Sequence, residues 1–338
     1  MRIRRGPYAL EWRQTAVSRR RLLHAAVGAI GLLALGGGVC GCAGAPTRRV
    51  LPMASPSQSP AAQGGPARAP AAAREAEGNG RYANNDGVRI YYEVSGSGSD
   101  PPLLLYHGFG GSSAVWSNYG FTSAFSPHCR VICIDARGHG RSDKPHSAAA
   151  YSMEKRTGDV CAVLDAERID RVNFMGYSNG GRSGFGMAQF HQDRLRTLII
   201  GGASPRSPSQ YDQEEMTAAA KILREQGVWA YLGAAYRSSP NADSIRAALE
   251  RNDAEALACD REGLLTWDGM DSATVEVPTF LYVGGADGVL PQVQDAAARL
   301  ANVELHVLPG LGHAAADGAS AVPPLVLAFL QRQGIVRA

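Results

Sequence analysis

Cysteine is scarce in this chain of 338 residues: there are six, and two of them sit together at Cys40 and Cys42. The other four, Cys129, Cys133, Cys161 and Cys259, form no Cys-x-x-Cys pair and have no histidine cluster beside them. That pattern argues against a zinc site. Cys129 and Cys133 flank one strand-like run, and an extended strand would hold them ~13 Å apart, too far for a disulfide. Buried free thiols are therefore expected. Long apolar runs are missing as well. The stretch Ala25 to Val39 has about 15 residues, against the ~20 that a membrane-spanning helix needs. A one-signed charge is also missing from most of the chain. The formal net charge is +3, but residues 1–42 hold seven Arg and one Glu, leaving 27 basic against 30 acidic residues elsewhere. Such a balance gives no support to a nucleic-acid partner. What is present is apolar material, 45% of all residues, enough for a sizeable core.

The N-terminal region has the features of an address. Ser18-Arg19-Arg20-Arg21-Leu22-Leu23 precedes the Ala- and Gly-rich apolar stretch, a positive segment followed by a short hydrophobic one. It resembles a twin-arginine signal, which implies export of an already folded protein. Val39-Cys40-Gly41-Cys42 resembles a bacterial lipobox and implies Cys42 as a lipidated residue and a membrane tether. Ala43-Gly44-Ala45 offers a competing small-x-small cleavage site that would release a soluble protein. Residues 46–80 are Pro, Ala, Ser, Gln and Gly with almost no large apolar side chains, a composition that favours an extended linker. The expected organisation is an export signal over 1–45, a linker over 46–80 and one folded domain over 81–338. The expected location is the cell envelope as a lipoprotein, with a released periplasmic or secreted protein as the alternative.

From Arg81 onward, strand and helix patterns alternate. Tyr82–Asn84 and Val88–Val94 flank Asn85-Asp86-Gly87, a hairpin around an Asp-Gly turn. Short apolar runs follow at 102–106, 130–134, 172–175, 198–201, 279–283 and 303–308. Helical stretches such as 153–167 and 180–189 lie between them. Repeated strand–helix alternation predicts an α/β fold, a mostly parallel sheet covered by helices on both faces. Functional residues should then follow the carboxyl ends of the strands. One interval breaks the rhythm: 205–275 contains helical patches, at 214–226 and 243–257, but no strand-like run. It is expected to form a small helical cap over the strand ends.

The chemistry-bearing residues do follow the apolar runs. Gly176-Tyr177-Ser178-Asn179-Gly180 is Gly-x-Ser-x-Gly between a strand-like run and a helical segment. That context places a serine on a sharp turn, with glycines allowing close backbone approach. A serine hydroxyl needs a base, and the base needs an orienting acid. The run at 279–283 leads into Gly284-Gly285-Ala286-Asp287, and the run at 303–308 leads into Pro309-Gly310-Leu311-Gly312-His313. Asp135, at the end of the run at 130–134, competes as the acid. It is read as a structural partner of neighbouring arginines, because Asp287 lies on the strand end nearest His313 in sequence.

With Tyr106-His107-Gly108-Phe109-Gly110-Gly111 and Asp135-Ala136-Arg137-Gly138-His139-Gly140-Arg141-Ser142, these segments make four motifs in one order. By them, residues 81–338 resemble the serine-nucleophile branch of the α/β-hydrolase superfamily, nearest to its esterase and enol-lactonase-like members. The resemblance implies Ser178 as nucleophile, His313 as base and Asp287 as the acid that holds it. It also implies the backbone N–H groups of Phe109 and Asn179 as oxyanion donors, with His107 holding the loop. A serine rather than an aspartate at position 178 disfavours dehalogenase and epoxide-hydrolase chemistry. The implied activity is hydrolysis of small to medium apolar carboxylic esters through an acyl-enzyme, without metal or organic cofactor. Lactone hydrolysis and cofactor-free perhydrolysis use the same groups and stay open. A non-catalytic binding protein is disfavoured, because all three side chains are present. Met216, Trp229, Tyr231, Tyr236, Trp267 and Met270 supply apolar bulk in the cap, of which Trp229, Tyr236 and Trp267 are the candidate substrate-pocket residues. The cap shows no conspicuous basic cluster, which gives strongly anionic substrates no support. Oligomeric state is left open.

Overall fold

The computed structural model describes residues 80–208, 210–233, 246–247 and 249–337. The export segment, Cys42, residues 46–79 of the linker and Tyr236 lie outside the described residues. Eight strands form one sheet: β1 (Gly80–Asn85), β2 (Val88–Ser95), β3 (Pro102–Tyr106), β4 (Arg130–Ile134), β5 (Val172–Tyr177), β6 (Leu195–Gly201), β7 (Thr279–Gly284) and β8 (Val303–Leu308). Their order is β1-β2-β4-β3-β5-β6-β7-β8. The first three in that order pair antiparallel and the remaining pairings are parallel. Gly80 already pairs with Glu93, so the sheet starts one residue before the expected boundary. The β1–β2 turn has φ +51° at Asp86 and +86° at Gly87, the two positive values that a tight hairpin matched to strand twist requires.

The parallel strands read as unbroken apolar runs because both of their faces are covered. Every residue of β5 and β7 is buried. Side-chain alternation divides the core in two. Leu104 and Tyr106 of β3 join Met153, Val160, Val163, Phe185 and Val293, from the helices Met153–Ala166, Asn179–Phe190 and Leu290–Arg299. Leu103 and Leu105 point the other way, to Trp116, Phe121, Phe125, Val326 and Phe329. The four described cysteines are free; three are buried, and burial pushes the Cys129 and Cys133 thiols up to about 12.

Between β6 and β7 the chain leaves the sheet and forms the helices Gln210–Gln226, Val228–Leu232 and Ala254–Leu264. They share an apolar cluster of their own, which includes Leu223, Leu232 and Leu257 and takes in Phe109 from the loop after β3. Within the helical patch expected over 243–257, residues 246, 247 and 249 are helical, the Glu250 N–H donates to the Arg246 carbonyl at 2.9 Å, and a separate helix begins at Ala254. Asp253 stops it there by accepting the Ala256 N–H at 3.0 Å, the N-cap arrangement of a short acidic side chain. Buried charge ties this insertion to the body. Asp260 and Arg156 are each 1% exposed and 2.9 Å apart, and the Arg156 guanidinium also donates to the Asp260 carbonyl oxygen at 2.9 Å. Removing one partner leaves an uncompensated buried charge, which is worse than removing both. Asp260→Ala should lower unfolding free energy by about 3–5 kcal/mol, whereas Asp260→Leu with Arg156→Met should lower it less. Urea denaturation of the two proteins checks the order.

Candidate active site

Ser178 occupies the turn between β5 and the helix Asn179–Phe190, with φ +53° and ψ −112°. A non-glycine residue in that region carries strain of order 1–3 kcal/mol unless its surroundings fix it. They do so here. The Ser178 N–H donates to the Gly201 carbonyl at 2.8 Å, and its own carbonyl accepts the Arg182 N–H at 3.0 Å. A Cβ on Gly176 would overlap the Gly180 carbonyl oxygen, and a Cβ on Gly180 would overlap that of Tyr106. Two glycines of the motif are thus required by close approach of backbone to backbone.

The loops after β7 and β8 bring Asp287 and His313 to this turn. The His313 Nδ1 lies 2.7 Å from Asp287 Oδ2, and its Nε2 lies 2.9 Å from Ser178 Oγ. A carboxylate can only accept, so the proton sits on Nδ1 and Nε2 is left to accept from the serine hydroxyl. The other carboxyl oxygen of Asp287 accepts the Val289 N–H at 3.0 Å. Tyr177, next to the serine, donates its hydroxyl to the His313 carbonyl oxygen. Ser178, His313 and Asp287 therefore form one directed line of hydrogen bonds.

Asp135 stands apart from that line. Its carboxylate accepts the backbone N–H groups of Ser113 at 2.5 Å and Arg141 at 2.7 Å. It is structural, but its partners are main-chain amides, not the guanidinium groups expected from the sequence. Arg137 pairs with Asp159 instead, both being buried. His107 holds two loops together, its Nδ1 donating to Gly108 O at 2.7 Å and its Nε2 accepting the Ala136 N–H at 3.0 Å. Burial, reinforced by His139, lowers its pKa to about 4. Phe109 follows in the same loop, buried, with its ring against His139 and Tyr231. Asn179 is the first helical residue, where backbone N–H groups have no partner within the helix. Its side-chain amide donates to Asp260 at 3.2 Å.

Ser178, Asp287 and His313 line a cavity of about 440 Å³. Its walls differ from the apolar pocket expected from the sequence. Trp267 is 4% exposed, packs into the main core and donates its indole N–H to Gln189 at 2.8 Å, away from the cavity. Trp229 packs within the insertion, with the Arg246 guanidinium over its ring. Tyr236 is outside the described residues. Met216 and Tyr231 do line the cavity, but so do Arg182, Arg206 and Arg261. Of these arginines Arg206 and Arg261 come from the insertion, whose own Asp212 and Glu215 stand beside them in the wall, and Arg182 comes from the body. Arg182 was legible, being four residues after Ser178 and so on the same helix face. Arg206 and Arg261 come from separate elements and carry no local signal. Among the described residues, no group of three His, Cys, Asp or Glu is arranged to hold a metal ion.

A family model described as the alpha/beta hydrolase fold matches residues 101–258. Among curated proteins, a putative 2-succinyl-6-hydroxy-2,4-cyclohexadiene-1-carboxylate synthase of Bacillus subtilis (strain 168) is 25% identical over 251 residues, covering 68% of this chain and 89% of its own length. A putative carbamate hydrolase RutD of Variovorax paradoxus (strain S110) is 29% identical over 240 residues, covering 67% and 89% respectively. Among solved structures, the enol-lactonase from Burkholderia xenovorans LB400 is 28% identical with a TM-score of 0.66, covering 74% of this chain and 99% of that one.

The His107 contacts make a pH prediction. Its folded-state pKa of about 4 lies below the ordinary 6.5, so the folded state binds fewer protons than the unfolded one. The stability that neutral His107 supports is complete above about 6.5 and is lost as pH falls from there through about 4, by about 3 kcal/mol at most. Urea midpoints of the wild type should fall across that window, and those of His107→Asn should fall less steeply.

Proposed function

The chain has the α/β-hydrolase fold, and from that premise we propose that it is a serine hydrolase of carboxylic esters or lactones. The single observation that carries this reading is the directed line from Asp287 through His313 to Ser178 Oγ. As Ser178 Oγ attacks a carbonyl carbon, His313 Nε2 takes the hydroxyl proton. Asp287 keeps the imidazole in its tautomer and stabilises the imidazolium. The carbonyl oxygen becomes an oxyanion, for which the Phe109 and Asn179 N–H groups are the proposed donors; removing one such donor typically costs ~3–4 kcal/mol. Collapse expels the alkoxide, which leaves with the His313 proton and gives an acyl-serine. Water, deprotonated by the same nitrogen, then releases the acid and restores Ser178.

In a lactone the leaving alkoxide stays attached to the acyl group, and the proton movements are the same. The similarity to an enol-lactonase supports keeping lactones in the substrate class. The helices between β6 and β7 act in this reading as a cap that shields the acyl-enzyme from bulk water. Ser18–Leu23 and Cys42 support export with a lipid tether.

Wild-type protein should turn over 4-nitrophenyl esters or simple lactones and be labelled by an organophosphonate. Ser178→Ala should lose labelling and at least about 10⁴-fold in kcat. Turnover that survives Ser178→Ala would overturn the assignment. In an expressing bacterium, Cys42→Ser should move the protein from the membrane fraction to the soluble one, as read by immunoblot of fractionated cells.

A further inference from the structure

The residues that carry the two proposed oxyanion donors are both gripped by one helix of the insertion. In Ala254–Leu264, Asp260 and Arg261 are neighbours in sequence. Successive helical side chains leave the axis about 100° apart, so each reaches a different part of the body. Asp260 accepts the Asn179 side-chain amide at 3.2 Å and is itself held by the buried Arg156. The Arg261 guanidinium carbon lies 3.6 Å from the centre of the Phe109 ring and 5.8 Å from that of Tyr231. His139 meets the same Phe109 ring edge-on, with centroids 5.7 Å apart and planes at 82°. A cation over a ring face is attractive, more so away from water, and Phe109 is 3% exposed.

That grip matters because Phe109 has glycine on either side. Gly108 O accepts the Gly111 N–H at 3.2 Å, and Gly110 has φ +74°, which makes a turn with Phe109 and Gly110 at its centre. His107 fixes the carbonyl that opens this turn. Between His107 and Ser112 the only side chain is the phenyl ring, and glycine leaves the backbone free to rotate. The direction of the Phe109 N–H therefore depends on what holds the ring.

We infer that Asp260 and Arg261 are positioning residues for the oxyanion hole: the insertion keeps both donor N–H groups aimed, Asn179 through its side-chain amide and Phe109 through its ring. The inference rests on Ser178 being the nucleophile. Donors aimed beforehand at a developing oxyanion lower the barrier without tightening substrate binding. A tilt of the Phe109 ring would thus slow turnover and leave affinity alone. Arg261 is the more informative of the two, because Asp260 also forms the buried pair with Arg156 and its loss lowers stability. Arg261 has a second neighbour, Glu215, whose pKa burial raises and Arg261 opposes. A role through that carboxylate would not need the Phe109 ring.

The test measures kcat and KM of the full-length protein for 4-nitrophenyl butyrate, a short neutral ester, and Ki for an alkyl trifluoromethyl ketone. Ser178 Oγ adds to the ketone carbon, its proton passes to His313 Nε2, and the tetrahedral oxyanion stays in the hole. Acylation and deacylation of the ester both pass through such an oxyanion. Arg261→Met should lower kcat by about tenfold, less than the ~10²–10³-fold lost with a whole donor. KM should stay within about twofold of the wild type. Ki for the ketone should rise by the factor by which kcat falls. Arg261→Lys, which keeps the charge but not the planar contact, should recover part of both. Phe109→Leu keeps the N–H and loses the ring; it should show a similar loss, and adding Arg261→Met to it should change little more. An unchanged kcat in Arg261→Met, a loss confined to KM, or the full loss repeated in the Phe109→Leu background overturns the inference and leaves the serine hydrolase intact. If Arg261→Met does not fold, a wild-type kcat and Ki in Phe109→Leu overturns it instead. If the wild type cleaves no butyrate, the ketone Ki values decide alone. If the wild type neither binds the ketone nor reacts with organophosphonate at Ser178, the underlying reading fails and takes this inference with it.

Discussion

The backbone of Ser178 is the constraint on which the rest of this site depends. A left-handed serine between strand and helix holds only while neighbouring chains press on it from several sides. Gly176 and Gly180 let them come that close, and β6 accepts the serine N–H through Gly201. Those contacts aim Oγ at the loop that carries His313. The same turn starts a helix, so the Asn179 N–H and the Arg182 side chain are placed by one piece of geometry. Sheet, glycines and helix thus act together: loosening any one would change the serine's angle before it changed the fold.

Much of this was legible in the sequence, for a physical reason. A strand buried on both faces must be apolar throughout, so 102–106 and 130–134 were readable to the residue. The polar groups that end such runs could be placed with them, and Ser178, Asp287 and His313 each lie within a few residues of a strand end. The antiparallel start was readable because only a tight turn needs Asp-Gly. Pocket walls follow no such rule. Whether Trp267 faces a cavity or the core depends on how the insertion docks, and Gln189, which receives its indole N–H, is 78 residues away. Arg182 was missed because charge was judged within the insertion, whereas this arginine reaches the cavity from the body.

Polar burial beneath the turn explains how the insertion is registered. Asp260 meets Arg156 from the body and Asn179 from the first turn of the serine helix. His139, buried with an unpartnered Nε2, adds to the same polar patch. An apolar contact would tolerate sliding; a buried ion pair does not, because displacement would strand both charges. The insertion is therefore fixed in register against the residue that follows the nucleophile.

The two ends of the insertion are held unequally, and this gives the cavity a direction. The helix Ala254–Leu264 is pinned to the body by a pair that water cannot reach. The start of the helix Gln210–Gln226 is held near β6 by Arg206 and Asp212, which are 51% and 26% exposed. Screening weakens the second tie and leaves the first almost untouched. The cleft is therefore secured more firmly on the Asp260 side than on the Arg206 side.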